Sequence, residues 1–188
     1  MKSRELCRLN IAARIVQVMV VIPLSTSMLL AQVTGTLSVG PTGDYTSLTD
    51  AFSDITTNGL SGPVILELQQ TFDCSVEDFS LVVSKNATST NTITVRPGTD
   101  ISGRIITSSN ATATISLDSA SYVTFDGRPG GEGASKQLTI QNTDIGSAFH
   151  LINGATHNNV RYCTVDTPNE GVGYFWKVHP ARQEIPTM

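Results

Sequence analysis

Four aspartates in the second half of the chain are the first residues that could carry chemistry: Asp118, Asp126, Asp144 and Asp166. Carboxylates act as general acids and bases, and about six to eight converging oxygens bind Ca²⁺. Each of these aspartates stands beside a serine, glycine or threonine, where an ordinary turn also selects aspartate because its side chain hydrogen-bonds to the nearby backbone. The sequence has no DxDxDG run. We therefore predict turn positions for all four aspartates and no metal site.

Two histidines and three arginines are the other polar candidates. His150 falls in an alternating strand pattern and His157 in a predicted turn, so we predict structural positions for both rather than an acid–base pair. Isolated arginines can contact an acidic sugar, and three stand in this region: Arg104, Arg128 and Arg161. The sequence contains no phosphate-binding loop, G-x-S-x-G elbow, CxxC or zinc-ligand spacing. We predict no catalytic, cofactor-binding or metal-binding residue and no cofactor.

Three consecutive aromatic residues, Tyr174, Phe175 and Trp176, lie near the C-terminus. Such a strip can stack on sugar rings. The alternative is that these residues belong to an out-of-frame tail without an evolved role, and the sequence leaves both interpretations open.

The first residues have the layout of an export signal. Four basic residues precede an apolar run from 15 to 30, which Gln17, Pro23 and the Ser25–Ser27 cluster interrupt. The uninterrupted pieces are shorter than the roughly 20 residues that a membrane-spanning helix needs. We predict a signal peptide at residues 1–31, cleavage after Ala31, and a secreted or outer-cell-surface protein without a membrane span.

Removal of this signal makes the chain more acidic. The whole chain has 12 basic and 16 acidic residues, and residues 1–31 hold four of the bases and one of the acids, which leaves a net charge of −7. A nucleic-acid partner is therefore not expected, because phosphate binding needs clustered Lys and Arg.

Cys74 and Cys163 remain after cleavage. They either form a disulfide or, as we favour, are two separate buried thiols.

One segment has the periodicity of a helix. Its apolar residues Leu48, Ala51, Phe52 and Ile55 fall at i, i+3, i+4 and i+7, which places them on one face. The Ser47–Asp50 segment reads as a capping box, and Asn58-Gly59 supplies the stop. The pattern predicts a short amphipathic helix with one face to bury.

The rest of the chain to about residue 165 has the period of β-strands. Thr, Ser, Asn and Gly are frequent there, and short apolar runs alternate with polar residues between turn signals. The predicted strands are Val64–Leu68, Phe79–Val83, Thr92–Arg96, Ala113–Leu117, Tyr122–Phe125, Gln137–Gln141, Ala148–Ile152 and Val160–Val165.

The spacing of these strands favours a solenoid over a β-sandwich. Ile140 and Tyr162 are 22 residues apart, about one rung of a parallel β-helix, with another strand midway. The segment from 117 to 125 also resembles the segment from 152 to 162, since each has an apolar strand, a turn ending in alanine and a further strand. The sandwich remains the alternative at this level.

The sequence resembles the N-terminal segment of pectin-lyase-like right-handed parallel β-helix proteins, and more narrowly the large secreted and surface β-helix proteins of Bacteroidetes and related bacteria. The residues that carry the resemblance are Thr36–Phe52, Gly59–Val64, Tyr122–Gly127, Leu138–Asn142 and Ala155–Val165. The resemblance implies an all-β solenoid with an N-terminal capping helix. It also leads us to expect a truncated or frame-shifted piece, because family members continue for many more coils.

The expected organisation has four parts: a signal peptide (1–31), an N-terminal strand and capping helix (32–62), parallel β-helix coils (63–167) and an irregular tail (168–188). The expected function is a non-catalytic, adhesin-like or scaffold segment that contacts a polysaccharide or cell-surface glycan. The alternative implied by the resemblance is the N-terminal part of a polysaccharide lyase or carbohydrate esterase that acts on pectin-like substrates.

Overall fold

The computed structural model describes residues 31–168 and the backbone of residues 174–176. Residues 1–30, which hold almost all of the predicted signal peptide, and most of the predicted tail lie outside this part of the chain. The described residues form one α-helix, α1 (Leu48–Asn58), and twelve strands: β1 (Val33–Val39), β2 (Leu60–Leu68), β3 (Leu81–Ser84), β4 (Ile93–Pro97), β5 (Arg104–Ser108), β6 (Ala113–Asp118), β7 (Val123–Asp126), β8 (Leu138–Asn142), β9 (Ser147–Ile152), β10 (Asn159–Arg161), β11 (Cys163–Asp166) and β12 (Tyr174–Trp176).

All strand pairs are parallel, and they build three sheets. The first sheet has the order β1-β2-β4-β7-β10, the second β5-β8-β11 and the third β3-β6-β9-β12. From β4 onward the chain visits the first, second and third sheets in turn, three times over. We call each such passage a circuit: β4 to β6, β7 to β9, and β10 to β12. The predicted all-β, parallel architecture is confirmed.

The core lies between the three sheets and is built from aligned apolar rows. Alternate strand residues point inward, and the parallel register places each above its counterpart in the next circuit. Phe125 pairs with Val95 in the first sheet, and Phe149 pairs with Ile115 in the third. The rings of Phe125 and Phe149 meet edge to face at 5.2 Å, which links two sheets across the core.

The predicted helix is present and covers one end of this core. The hydroxyl of Ser47 accepts a hydrogen bond from the Asp50 backbone N–H at 3.0 Å, and the Gly59 N–H closes the C-terminal turn on the Ile55 carbonyl at 2.9 Å. Gly59 has φ +73°, a conformation that glycine adopts without a steric penalty. The predicted apolar face of Leu48, Ala51, Phe52 and Ile55 is buried and faces β1 and β3.

A glutamate outside the predicted capping box also holds the helix. The Glu77 carboxylate accepts the backbone N–H groups of Leu48 and Thr49 at 2.6 and 2.8 Å. These are unpaired donors of the first helical turn, and a negative charge is stabilised there by the helix dipole. This contact was not predicted because Glu77 lies almost 30 residues further along the chain.

The turn before the helix explains the Gly-Asp-Tyr part of the N-terminal segment. The Asp44 carboxylate accepts hydrogen bonds from the backbone N–H and the hydroxyl of Ser38, both at 2.8 Å. A Cβ atom on Gly43 would lie 2.5 Å from the Ser38 carbonyl oxygen, so only glycine fits there. The Tyr45 hydroxyl donates to Asp54 on the helix. Together these contacts fix the orientation of α1 relative to β1.

Strand β5 was not predicted. In this segment Ile105 and Ile106 are adjacent, and Ile105 is half exposed while Ile106 is fully buried. Two consecutive apolar residues obscure the alternation that marks the other strands. Arg104, considered above as an isolated surface arginine, is therefore the first residue of a strand of the second sheet.

The predicted strand Val160–Val165 is two strands that belong to different sheets. Tyr162 has φ +53° and turns the chain between β10 and β11. The structure also contains β12, which pairs with β9 in a part of the chain that was predicted to be irregular. Residues 174–176, within the predicted tail, are therefore a strand that continues this order.

The proposed 22-residue spacing is wrong, whereas the second internal similarity is real. Ile140 pairs with Val165, 25 residues later, and Phe125 pairs with Val160, 35 residues later. The segments from 117 to 125 and from 152 to 162 do lie one above the other, but the register pairs Phe125 with Val160, two residues before the Tyr162 with which the sequence pattern aligned it. Turn lengths differ between circuits, so no single period describes the chain.

Candidate functional site: a charged row on the first sheet

Three of the candidate residues meet on the outer face of the first sheet. The Asp126 carboxylate lies between Arg128 and Arg161, with Nη2 to Oδ2 distances of 2.7 and 2.9 Å. The side chain of Asp126 is only 1% exposed, whereas that of Arg161 is 46% exposed. The guanidinium groups therefore cover the carboxylate and face the solvent above it.

The strand register brings these residues together. Asp126 ends β7, and its register partner on β10 is Arg161. Arg128 follows two residues later, and its backbone N–H donates to Asp126 Oδ1 at 3.1 Å. This is the Asx-type turn that the sequence predicted for Asp126. The same aspartate thus closes a turn and joins two circuits.

Both arginines bond to Asp126 through more than one nitrogen. Arg128 donates from Nε to Oδ1 at 2.9 Å and from Nη2 to Oδ2 at 2.7 Å, the paired geometry that suits a planar guanidinium and a carboxylate. Arg161 donates from Nε to Oδ2 at 3.0 Å. The Arg128 guanidinium also lies 4.6 Å from the ring centroid of Tyr162, a cation–π contact.

The environment keeps Asp126 ionised. Burial alone would raise the pKa of its carboxyl group, but the hydrogen bonds from Arg128 and the positive charges of Arg161 and Arg128 together outweigh burial and lower it. A general acid or base works best when its pKa lies near the operating pH. The lowered pKa therefore suits Asp126 to a permanent structural charge.

Charge alternation extends across the first sheet. The register pairs Glu67 on β2 with Arg96 on β4, the strand next to β7, and their side chains form an ion pair at 2.6 Å. Val95 pairs with Phe125, and the next residues of these two strands are Arg96 and Asp126. Continued in this way, the row is Glu67, Arg96, Asp126 and Arg161, so opposite charges lie on neighbouring strands. Such cross-strand pairs stabilise a sheet and define its register.

We expect Asp126→Asn to lower the free energy of unfolding by about 2 kcal/mol at neutral pH, because charge-assisted hydrogen bonds to both arginines are lost. The pKa of Asp126 is lower in the folded protein, so its stabilisation is complete above the unfolded-state pKa of about 3.9 and is lost as the pH falls through the folded-state value. Urea unfolding at several pH values should show the two proteins converging below about pH 4.

Asp166→Asn is the matched control for this measurement. Asp166 is an exposed aspartate with one hydrogen bond, from Gln141 Nε2 at 2.7 Å. Its replacement should change stability by less than about 0.5 kcal/mol, as is usual for surface positions. Equal losses in the two variants would contradict a structural role for the Asp126 cluster.

The remaining aspartates also occupy ordinary structural positions. Asp118 ends β6 and accepts a hydrogen bond from Asn153 at 2.7 Å. Asp144 lies in the turn before β9, where its carboxylate accepts the Ile145 N–H at 2.7 Å. The structure separates these aspartates from Asp126 rather than gathering them at one point.

The two histidines lie apart. His150 is a strand residue on β9, in register with Ser116, as predicted. His157 lies in the turn before β10, also as predicted, and its ring stacks on Tyr122 with a centroid distance of 4.8 Å.

The third arginine, Arg104, bonds to the Gln70 carbonyl oxygen at 2.5 Å on the second sheet, away from the Asp126 cluster.

The cysteines and the aromatic strip complete the set of candidates. Cys74 and Cys163 are both free thiols, as favoured above over a disulfide, but each is half-buried rather than buried. Burial, and then the charge of Asp126, raises the pKa of Cys163 to about 12, which leaves the thiol protonated and unreactive. Tyr174, Phe175 and Trp176 form β12 next to β9, and only their backbone is described.

The neighbours of the Asp126 cluster were not predicted from the sequence. Glu67 and Arg96 each stand as an isolated charge in a predicted strand, and Tyr162 was placed inside a strand. One signal was available in the sequence: Glu67, Arg96 and Asp126 each directly follow an apolar residue of a predicted strand. With the correct strand register, these charged residues would have been aligned with one another.

No protein-family model matches this sequence, and the comparisons with curated proteins and with solved structures found no similar protein. Within residues 31–168 and 174–176, no helix has the length and apolarity needed to span a membrane. In the same part of the chain, no group of three or more His, Cys, Asp or Glu side chains could hold a metal ion.

Proposed function

We propose that the described residues form a right-handed parallel β-helix capped by α1, and that the protein acts as a secreted or cell-surface scaffold that contacts glycans without catalysis. The repeated order of the three parallel sheets supports the solenoid. The right-handed sense is supported by a general rule, since crossovers between parallel strands of one sheet are right-handed in about 98% of cases. The helix α1 then serves as the cap of the first coil.

The observation that carries this proposal is the bonding of outward side chains between circuits. On the second sheet Thr107 donates to Gln141 at 3.2 Å, and Gln141 donates to Asp166 at 2.7 Å. On the first sheet Asp126 and Arg161 join in the same way. The outer faces of the first and second sheets therefore present polar groups whose positions are fixed by their neighbours.

Rows of this kind suit a binding surface. A polar group that is already held in place loses little conformational entropy when a ligand docks, which favours association. Hydroxyl, amide and carboxylate groups are also the ones that hydrogen-bond to the hydroxyls of a sugar. A polysaccharide or cell-surface glycan is accordingly the partner we propose, in keeping with the predicted export signal.

The charged cluster supports a structural rather than a catalytic role. Two of the three candidate arginines, Arg128 and Arg161, are bonded to Asp126, and that carboxylate stays ionised. A lyase or esterase would instead need a group poised to exchange a proton.

The test uses the full chain, purified after export, with a panel of acidic and neutral polysaccharides. Binding is measured by affinity gel electrophoresis, and turnover by the ultraviolet absorbance of unsaturated products and by released methanol. We expect binding to at least one polymer and no turnover of any. Turnover would contradict the scaffold and favour the N-terminal part of a polysaccharide lyase or carbohydrate esterase; absence of all binding would contradict the glycan contact.

A further inference from the structure

Two stacked turns form an exposed corner between the third and the first sheets. One turn joins β6 to β7 and the other joins β9 to β10, and the Ser121–Thr156 bridge aligns them. We call this surface the Tyr122–His157 corner. It consists of three pairs of residues, one from each turn: Asp118 with Asn153, Ser121 with Thr156, and Tyr122 with His157.

The aromatic pair provides a flat ring surface. The rings of Tyr122 and His157 are nearly parallel, with an interplanar angle of 14°. His157 is exposed, and among the described residues Tyr122 is its one recorded ring partner. Both residues have positive φ, +57° and +55°, so the backbone holds the two rings at equivalent places in successive circuits. An exposed ring on a fixed backbone can stack on the apolar face of a sugar.

The polar pairs provide hydrogen-bonding groups beside the rings. Asn153 donates to Asp118 Oδ1 at 2.7 Å, and the hydroxyls of Ser121 and Thr156 lie 3.0 Å apart. A carboxylate has about four acceptor positions, and an amide has two donors and a carbonyl oxygen, so each keeps bonding capacity for a ligand. Asn153 and His157 are four residues apart, which limits their Cα separation to about 14 Å.

We infer that the Tyr122–His157 corner binds neutral sugar residues of a polysaccharide. The ring surface accepts a pyranose face, while Asp118 and Asn153 bind adjacent hydroxyls. Asp118 is the one formally charged side chain of the corner, so an acidic sugar would be repelled. The inference rests on the proposed glycan contact and adds the position of the site and the class of sugar.

The test compares two substitutions to asparagine at exposed positions with positive φ. His157→Asn removes the exposed ring and retains a residue type that tolerates positive φ. Asp100→Asn is the control, because Asp100 is also exposed with positive φ, +61°, but lies in the turn between β4 and β5, outside the corner and the charged row. Circular dichroism and thermal unfolding check that each variant remains folded.

Binding of the full chain is measured with a neutral β-glucan and with polygalacturonate. We expect the parent protein to prefer the β-glucan. His157→Asn should weaken that binding about three- to tenfold, the loss of one ring contact, while Asp100→Asn leaves it unchanged.

Three outcomes would overturn the inference, and they differ in what they leave standing. Preference for polygalacturonate would refute the class of sugar but retain the glycan contact. Equal effects of the two variants on β-glucan binding would refute the position of the site and retain the glycan contact. Failure to bind any polysaccharide of the panel would refute the proposed function and the inference together.

Discussion

Replacement of Phe52 by aspartate is expected to prevent the chain from folding as a soluble monomer. Phe52 is 4% exposed on the buried face of α1, which packs on β1 and β3. Removal of a buried phenylalanine ring costs about 3–5 kcal/mol, and an unpaired buried charge adds several more. The combined cost approaches the whole free energy of unfolding of an ordinary domain, about 5–15 kcal/mol. The uncovered apolar core and strand edges would then drive aggregation.

Ser53→Asp is the control for this variant. Ser53 is the next residue of the same helix and is exposed, so it receives the same charge without burial. We expect Ser53→Asp to remain soluble with unchanged circular dichroism and thermal midpoint, whereas Phe52→Asp should show size-exclusion aggregates or a lost transition. A folded Phe52→Asp protein with the parent midpoint would show that α1 does not cover the core.

The second large loss of stability is expected at Gly127, where the backbone of one circuit passes directly over the next. A Cβ atom at this position would lie 1.9 Å from the Tyr162 carbonyl oxygen and 2.6 Å from its carbonyl carbon. Gly127 also donates its N–H to the Arg161 carbonyl at 3.0 Å. Because the obstacle is backbone, Gly127→Ala forces β7 and the turn after β10 apart. We expect a loss of more than about 3 kcal/mol in urea unfolding, the size of severe overpacking.

Gly98→Ala is the matched control. A Cβ atom at Gly98 would first meet the Ile101 Cγ1 atom at 3.3 Å, and this side chain can move aside. The change should alter stability by less than about 1 kcal/mol. If Gly127→Ala were as mild as Gly98→Ala, the close passage of the backbone at Tyr162 would be refuted.

Local signals explain which parts of the fold could be predicted. The helix was predicted because its cap, its stop and its buried face are all encoded within one short segment, Ser47 to Gly59. The inward positions of Val123 and Phe125 followed from simple alternation. In each case the deciding interactions are close in sequence.

The features of the fold that were not predicted depend on contacts between residues distant in sequence. Nothing local marks Tyr162 as a residue with positive φ, since a tyrosine rarely adopts that conformation. Circuits of 25 to 35 residues replace the single spacing of 22, because turn lengths vary while the strands still align. The strand β5 was hidden because Ile105 is apolar yet half exposed.

The charged cluster shows the same limit. Asp126 was correctly predicted in a turn, and its hydrogen bond to the Arg128 N–H is local. Its ion pair with Arg161 depends on an offset of 35 residues, which the sequence did not indicate. The local role of Asp126 in a turn was therefore predicted correctly, whereas its arrangement with the two arginines was not.

The stacking of successive circuits is the central claim, and a disulfide tests it directly. With Cys74 and Cys163 changed to serine, cysteines replace Thr124 and Asn159, which are register partners on β7 and β10. Neighbouring strands lie about 4.7–4.9 Å apart, within the Cα separation that a disulfide spans. Thr139 and Arg161, which are 22 residues apart and lie on different sheets, form the control pair.

The measurement is the fraction of monomer that carries an intramolecular disulfide after mild oxidation, determined by thiol labelling and mass spectrometry. Stacking at the 35-residue offset predicts nearly complete closure for Thr124→Cys with Asn159→Cys and little closure for Thr139→Cys with Arg161→Cys. Closure of the second pair with an open first pair would contradict the stacked circuits, and with them the outer faces on which the proposed glycan contact depends.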